Sequence, residues 1–437
     1  MKKENVLILN GGGGNGYLLS KCISMSVLYH AVSASSYPEH SRFTFRDYKN
    51  DLPFVQDERF VDELNTYISE KEISFIIPTH DTIALVLMEK AEQINAVIVC
   101  SSLVTTRICR YKKETYKVLQ GTTFLPKWFE KVEDVMDTDF PLFLKPNDGQ
   151  GAKGVCLVNN RIELSNILDS NKDFVICENL PGEEFTVDCF TNSLGELLYV
   201  NPRKRAQISM GQSFLSVSVD DSKPFEEIAS TINEKINFRG YWFVQLKRDK
   251  NGELKLLEIC TRFAGGVAHA LASGVNLPLL ALADFSGKTI SVYKNDYKII
   301  VGKDLISRFE LDLQYDCVYV DYDDTITSDN GKTVNCYMMA YLYQCRNFGK
   351  RIVMLTHHTA TKSNSLYTDM KRLSIPVSLF DEIFDLPKSE SKKDYIKIGI
   401  KSIFIDNSYI ERLRVVEKCK IPVFDVCHIE CLFDFRM

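Results

Sequence analysis

The chain has 437 residues, too many for one ordinary hydrophobic core, so two or three domains are expected. Its 45% hydrophobic and 25% charged residues are a globular composition and exclude a disordered chain. A formal net charge of −5 with no basic segment argues against a nucleic-acid surface, and no apolar run approaches the roughly 20 residues a membrane-crossing helix needs.

Met1-Lys2-Lys3-Glu4 leads straight into a strand-like run at 6–9 with no signal pattern, so a cytoplasmic location is expected. In the first hundred residues short β-branched runs alternate with amphipathic ones. The pattern predicts a helix at 60–71, a strand at 74–78, a helix at 82–94 and a strand at 96–100. Such alternation implies a parallel sheet with helices on its faces. From about 106 the texture changes to mixed α+β: a helix at 112–120, then strands and glycine-rich turns through Gly252. A polar stretch at 293–303 precedes a third segment with strands at 317–320, 351–355 and 402–405 and a helix at 334–348. The 13 cysteines are odd in number and scattered, which fits reduced, mostly buried thiols rather than a disulfide framework. Cys427, His428 and Cys431 lack the second ligand pair of a metal cluster.

Gly11, Gly13 and Gly16 satisfy G-x-G-x-x-G directly after the first strand. A dinucleotide fold also needs an acidic residue about 20 positions on, at the end of the second strand. Here the run 30–36 ends in Ser35-Ser36-Tyr37, and Glu39 falls beyond Pro38. Gly16-Tyr17 stands where a P-loop requires Gly-Lys. The expectation is a glycine-rich βα turn that holds no nucleotide, with a role in a substrate pocket left open.

The segment 141–155 delivers Lys145 from a buried strand, then a loop carrying Gly149, Gly151, Lys153 and Gly154. Glycines let successive backbone N–H groups turn toward phosphate oxygens, and a lysine on a firm strand adds positive charge. Glu178-Asn179-Leu180 ends the strand 174–177, and Glu184 begins an alternating strand; a carboxylate so placed can accept from ribose hydroxyls. Pro202-Arg203-Lys204-Arg205 clusters cations, and two adjacent strands at 241–262 present Gln245, Glu258 and then Arg262. Oxygen ligands from neighbouring strands are how Mg²⁺ is held beside nucleotide phosphates.

In this order and spacing the residues resemble the ATP-grasp superfamily over about 1–305, nearest its carbamoyl-phosphate-synthase-like and carboxylate–amine ligase branches. Ile77-Pro78-Thr79-His80-Asp81 matches the family's turn in the leading domain. The resemblance implies Lys112 and Lys145 as nucleotide lysines, with Tyr111 where an aspartate is usual and Lys113 as an alternative. It implies Gly151, Lys153 and Gly154 in the phosphate loop, Glu178 and Leu180 at the adenine hinge, and Glu184 at the ribose. Arg203 and Arg205 would contact phosphate or intermediate, Gln245 and Glu258 would hold Mg²⁺, with Mn²⁺ as a substitute, and Arg262 would be the catalytic arginine of the family's Glu-x-Asn-x-Arg motif. Cys260 replaces the usual asparagine of the metal motif, and a thiol is a poor partner for a hard cation. The implied reaction joins a small carboxylate to an amine, or to a related nucleophile, through an acyl phosphate, consuming ATP.

The strand 317–320 ends in Asp321-Tyr322-Asp323-Asp324-Thr325, carboxylates that repel unless a cation sits among them. Leu355-Thr356 and Asp406-Asn407 end later strands, with Lys392-Lys393 between. This order resembles the haloacid-dehalogenase superfamily over about 312–437. The resemblance implies Asp321 as nucleophile, Asp323 as acid/base and Thr356 on the phosphoryl oxygens. Lys393 or Lys392 would be the stabilising lysine, and Asp321, Asp323 and Asp406 would bind Mg²⁺. The spacing leaves no room for a full cap.

The expected fold class is therefore α/β, in three domains: 1–105, a parallel-sheet pre-ATP-grasp domain; 106–308, an α+β ATP-grasp domain; 309–437, a Rossmann-like phosphatase domain. Expected partners are a carboxylate, an amine and a phosphorylated small molecule, with no nucleic acid or membrane; a homodimer is left open. The competing expectation is an ATP-binding protein whose second domain is inactive or regulatory.

Overall fold

The computed structural model describes every residue except Met1, Met25, Ala152, 169–172, Met210, 304–308, Glu310, Ser363 and Met437. Ala152 of the expected phosphate loop and the expected 308/309 boundary thus lie outside the described residues. The chain divides into two compact units, Met1–Leu305 with Arg436–Met437, and Ile306–Phe435.

The first unit opens with a parallel sheet of β1 (Glu4–Leu9), β2 (Tyr29–Ala34), β3 (Tyr48–Lys49), β4 (Ile73–Pro78) and β5 (Val97–Ile98), in the order β3-β2-β1-β4-β5. A central strand of such a sheet is covered on both faces, so it must be apolar throughout. β1 meets that demand: Val6 and Ile8 enter one core, while Leu7 and Leu9 enter the core on the opposite side. Helices α1 (Gly14–Ser24), α2 (Phe60–Glu70) and α3 (Asp81–Glu89) connect these strands, and α4 (Leu103–Arg110) and α5 (Lys112–Val118) lead onward. The expected helix 82–94 stops at Glu89, where Lys90 leaves helical geometry and a 3-10 turn follows.

A four-stranded antiparallel sheet comes next: β6 (Trp128–Phe129), β7 (Leu142–Pro146), β8 (Cys156–Val158) and β9 (Phe174–Glu178), in the order β6-β9-β7-β8. The largest sheet of the unit has six strands: β10 (Glu184–Thr191), β11 (Leu197–Ser209), β12 (Gln212–Ser218), β13 (Gly240–Arg248), β14 (Leu254–Cys260) and β15 (Ile300–Gly302), ordered β14-β13-β10-β11-β12-β15. β15 falls inside the polar stretch 293–303, on its one aliphatic run, Ile299-Ile300-Val301, and Ile300 and Val301 suffice for an edge strand pairing with Val217 and Ser216.

The antiparallel registers put Thr186 opposite both Arg203 and Gln245, and Gln245 opposite Glu258. Because side chains alternate along a strand, these polar residues share one face with Glu184, Asp188 and Arg205. The other face carries Phe185, Val187, Val244, Leu246 and Ile259 into a core with Trp242 and helix Lys223–Lys235. Period-two patterning thus makes one face of this sheet structural and the other chemical.

The second unit is built on a parallel sheet of β16 (Cys317–Val320), β19 (Arg351–Thr356), β20 (Glu382–Asp385), β21 (Ser402–Ile405) and β22 (Val423–Phe424), ordered β20-β19-β16-β21-β22, with a small hairpin of β17 (Thr327–Ser328) and β18 (Thr333–Val334). Val318 and Val320 of β16 face one core, Cys317 and Tyr319 the other. The neighbours of β16 both run parallel to it, so the carboxyl ends of β16, β19 and β21 lie side by side. In open α/β sheets ligands bind at such an edge, where the chain winds off in both directions.

Candidate functional site

In the first unit, β7, β9 and the polar face of the six-stranded sheet border a cavity of about 240 Å³. Ten of the expected residues line it: Lys112, Lys145, Gly151, Lys153, Glu178, Leu180, Glu184, Arg205, Gln245 and Glu258. Lys145 is buried, and its ammonium donates to Tyr116 Oη at 2.9 Å and to the Leu257 carbonyl at 3.2 Å. Lys112, the first residue of α5, donates to the Gly149 carbonyl at 2.7 Å and so ties the helix to the glycine loop. Burial pushes the Lys112 ammonium down, Glu258 partly offsets that, and Lys145 adds to it. An anion in the cavity would relieve Lys112.

Within the loop Gly151 and Gly154 adopt positive φ, +63° and +75°, a region closed to most side chains. Gly154 is not a lining residue; it closes the turn onto Pro146. At the far end of β9 the Glu178 carboxylate accepts from the Lys127 backbone at 2.8 Å, and Glu178, Asn179 and Leu180 line the cavity in succession. Arg205 reaches Glu184 in an ion pair and donates to Gln245 Oε1 at 2.8 Å.

Arg203 and Arg262 do not line the cavity. Arg203 is committed to Asp188 Oδ2 at 2.8 Å, and Tyr241 donates to the other oxygen of the same buried carboxylate at 2.6 Å. Arg262 pairs with Asp81 at 3.0 Å and lies over the Phe243 ring. Tyr116, Asp188 and Tyr241 were not singled out from the sequence. Asp188 carried a usable signal, since it continues the i, i+2, i+4 polar line of Glu184 and Thr186 along β10.

Glu258 fits a hard cation: it is half-buried, faces the cavity, and has no hydrogen-bond or ion-pair partner among the described residues. Gln245, opposite it, offers an amide oxygen that already accepts from Arg205. Cys260 does not fit, because burial, then Asp81 and Glu258, push its thiol well above the usual range and keep it neutral. All 13 cysteines are free, Cys427 is exposed, and His428 Nδ1 accepts from the Asp425 backbone.

The turn at 11–16 has a different occupant. Gly16 packs so tightly on Gly11 that a Cβ would strike its carbonyl, and the Gly12 N–H donates to Glu39 Oε1 at 2.8 Å, an oxygen also bonded by Ser41 Oγ at 2.5 Å. The chain's own carboxylate takes up the Gly12 N–H, a donor that a glycine turn of this kind would otherwise offer to a phosphate.

In the second unit Asp321 follows β16 and Asp406 follows β21, both buried. The Lys392 ammonium donates to Asp321 Oδ1 and Asp406 Oδ2, each at 2.6 Å. It is Lys392 and not Lys393 that the structure brings to this cluster: the short 3-10 turn 392–394 points Lys392 inward, and Lys393 is only half-buried. The remaining oxygens accept from Thr325 Oγ1 and the Ser408 backbone. Desolvation pushes both carboxyls up, against the pull of Lys392. Thr356 Oγ1 is buried with no partner among the described residues, an orphaned group that an oxyanion would satisfy. Asp323 accepts from His358 Nδ1 at 3.0 Å, and the buried His358, not singled out from the sequence, leaves Nε2 without a partner among the described residues. Among those residues no three His, Cys, Asp or Glu side chains are grouped to hold a metal, and no helix is long and apolar enough to cross a membrane.

Residues 170–303 match the family model described as ATP-grasp in the biosynthetic pathway with Ter operon. Among solved structures, a biotin carboxylase from Campylobacter jejuni, in complex with a β,γ-ATP ligand, aligns with a TM-score of 0.58 at 15% identity, over 68% of this chain and 75% of that one. N5-carboxyaminoimidazole synthetase from Staphylococcus aureus, complexed with ADP, aligns with a TM-score of 0.55 at 16% identity, over 66% and 79%. An L-amino acid ligase from Bacillus licheniformis aligns with a TM-score of 0.51 at 17% identity, over 65% and 75%. A comparison with curated protein sequences finds no match. The chain contains an ATP-grasp domain in a mixed α/β fold with parallel sheets.

Proposed function

We propose that the first unit is an ATP-dependent, ADP-forming ligase that joins a small carboxylate to an amine. The supporting observation is the convergence of Lys112, Lys145, Arg205 and the uncommitted Glu258 on one cavity closed by a glycine loop. In the proposed reaction a carboxylate oxygen bonds to the γ-phosphorus of ATP as its bond to the bridging oxygen breaks, leaving ADP. The amine then attacks the acyl carbon, phosphate leaves, and a proton is lost from nitrogen. Phosphoryl transfer needs positioning and charge compensation more than covalent help. Lys145, fixed by Tyr116 and the Leu257 carbonyl, supplies a preorganised positive charge. Arg205 carries a second, oriented by Glu184 and Gln245, and Asn179–Leu180 offer backbone and apolar surface to a base. Mg²⁺, which Glu258 with Gln245 would hold, offsets phosphate charge when bound. The three-domain division at 1–105, 106–308 and 309–437, a cytoplasmic location and a dimeric assembly belong to the same reading. ADP release across pools of carboxylates and amines tests it: stimulation is expected for wild type and none for Lys145→Ala, and equal release by both overturns it.

A second reading concerns the other unit, favoured by the Asp321–Lys392–Asp406 cluster beside the orphaned Thr356 hydroxyl. We infer a haloacid-dehalogenase-like phosphohydrolase: an Asp321 oxygen bonds to phosphorus as the ester P–O bond breaks, Asp323, oriented by His358, gives the leaving oxygen its proton, and water then releases phosphate from Asp321. The side chains as they stand give the carboxylates a lysine as counter-ion. Asp321→Asn is expected to abolish phosphomonoester hydrolysis while ADP formation persists; hydrolysis unaffected by that change favours an inactive or regulatory module instead.

A further inference from the structure

Two polar side chains that do not line the nucleotide cavity converge beside the loop after β14. A Cβ on Gly265 of that loop would collide with the Lys303 ammonium and stand 3.7 Å from Asn15 Oδ1. Asn15 is the second residue of α1, and Lys303 follows β15, anchored by its backbone N–H on the Phe214 carbonyl at 2.8 Å. Three segments distant in sequence therefore meet at one point. Neither side chain has a hydrogen-bond or ion-pair partner among the described residues.

The other cations of this region are committed: Arg203 to Asp188, Arg205 to Glu184 and Arg262 to Asp81. Among the described residues Lys303 alone of these four has no carboxylate partner. Desolvation, then Arg203, press its ammonium below the usual range, and Asp188 offsets this only in part. Residue 303 as a whole is exposed, so a ligand can reach it. An ammonium among other cations and an amide without a partner make a place whose charge is unbalanced until an anion arrives.

We propose that Lys303 and Asn15 form a subsite for a second carboxylate of the acid substrate, which makes that substrate a dicarboxylic acid. The assignment rests on the ligase reading of this unit. The reacting carboxylate has to lie in the nucleotide cavity with Lys145 and Arg205, and it ceases to be a carboxylate once phosphorylated. Lys303 and Asn15 stand outside that lining. A second carboxylate keeps its charge through both half-reactions, so it can hold the substrate while the first is activated and aminated. The Lys303 ammonium donates to such a group directly, and Asn15 does so once a half-turn of its amide brings N–H₂ to the position of Oδ1.

The test is thermal unfolding of the full chain with AMP-PNP and Mg²⁺, with acetate, malonate or succinate added at matched ionic strength. AMP-PNP is expected to raise the melting point of wild type, Lys303→Ala, Asn15→Ala and Gly265→Ala alike. Malonate or succinate adds about 2 °C in wild type, acetate adds nothing, Lys303→Arg keeps most of the increment, and the other three variants lose more than half of it. Gly265→Ala displaces the ammonium without deleting it, so agreement with Lys303→Ala separates the subsite from loss of a surface charge. An equal diacid increment in wild type and Lys303→Ala, or none in wild type while AMP-PNP still stabilises, overturns the subsite alone. A wild type that AMP-PNP fails to stabilise overturns the ligase reading and the subsite with it.

Discussion

The Arg262 guanidinium pairs with the Asp81 carboxylate at 3.0 Å, with 13% and 14% of the two side chains exposed. Asp81 begins α3 directly after β4, and Arg262 follows β14, so one ion pair fastens the leading parallel sheet to the six-stranded one. Thr79 Oγ1, two residues before Asp81, bonds the Leu9 and Asn10 carbonyls and extends the link to the end of β1.

Removing one partner of a buried pair strands the other's charge, which costs about 3–5 kcal/mol. Asp81→Ala is expected to lower unfolding free energy by about 3 kcal/mol, the lower end because both groups retain some exposure. Urea unfolding measures it, and Asp81→Leu with Arg262→Met should cost clearly less than the sum of the single changes. Additive losses would mean the pair does not couple the two sheets.

Lys145 is held on a central strand by two acceptors, so its charge needs no reorganisation when phosphate oxygens arrive. Loss of one preorganised charge of this kind lowers kcat by roughly 10²- to 10³-fold. Lys145→Met is expected to show that loss in ADP formation and to weaken AMP-PNP binding by calorimetry. Lys113→Met should be nearly silent, since Lys113 pairs with Asp173 outside the cavity lining.

How far the sequence spoke depended on whether chemistry followed strand ends or cross-strand register. Lys145, Glu178 and Asp321 sit at the ends of apolar runs, and each lies where its run implies. Arg203 and Arg205 are two residues apart on one face of one strand, are both buried and read alike, yet Arg203 pairs with Asp188 away from the cavity and Arg205 lines it. Only the pairing of β10 with β11 separates them, and pairing register is not written in either strand alone. Lys392 and Lys393 differ by one residue in a 3-10 turn whose phase no periodicity announces. Glu39 holds the glycine turn through a contact 27 residues away in sequence, which local patterning cannot reveal.

His269 is buried between Asn201 and Ser218, and desolvation followed by Arg203 lowers its titration below the ordinary value of 6.5. A folded-state value below the unfolded one means the unfolded chain binds more protons, so stability is complete above about 6.5 and is lost as pH falls through the folded value. The slope from this group is at most about 1.4 kcal/mol per pH unit. Urea midpoints from pH 7.5 to 5 should fall for wild type and fall less steeply for His269→Gln, whatever that variant's stability at pH 7.5. Parallel curves would place the acid sensitivity elsewhere.

Among the described residues Lys392 is the sole side-chain cation bonded to the Asp321 and Asp406 carboxylates, and all three groups are buried. Lys392→Ala leaves two carboxylates facing each other without it, so one must take up a proton, at an expected cost of about 3–5 kcal/mol to the second unit. Lys393→Ala, whose ammonium does not reach those carboxylates, is expected to fall within about 0.5 kcal/mol of wild type. Near-UV circular dichroism during urea unfolding reports both, and Lys392→Ala should recover part of its loss at low pH, where the carboxylates are neutral. Equal losses for the two variants would contradict the buried geometry, and an unchanged Lys392→Ala would mean that another cation fills the gap between Asp321 and Asp406.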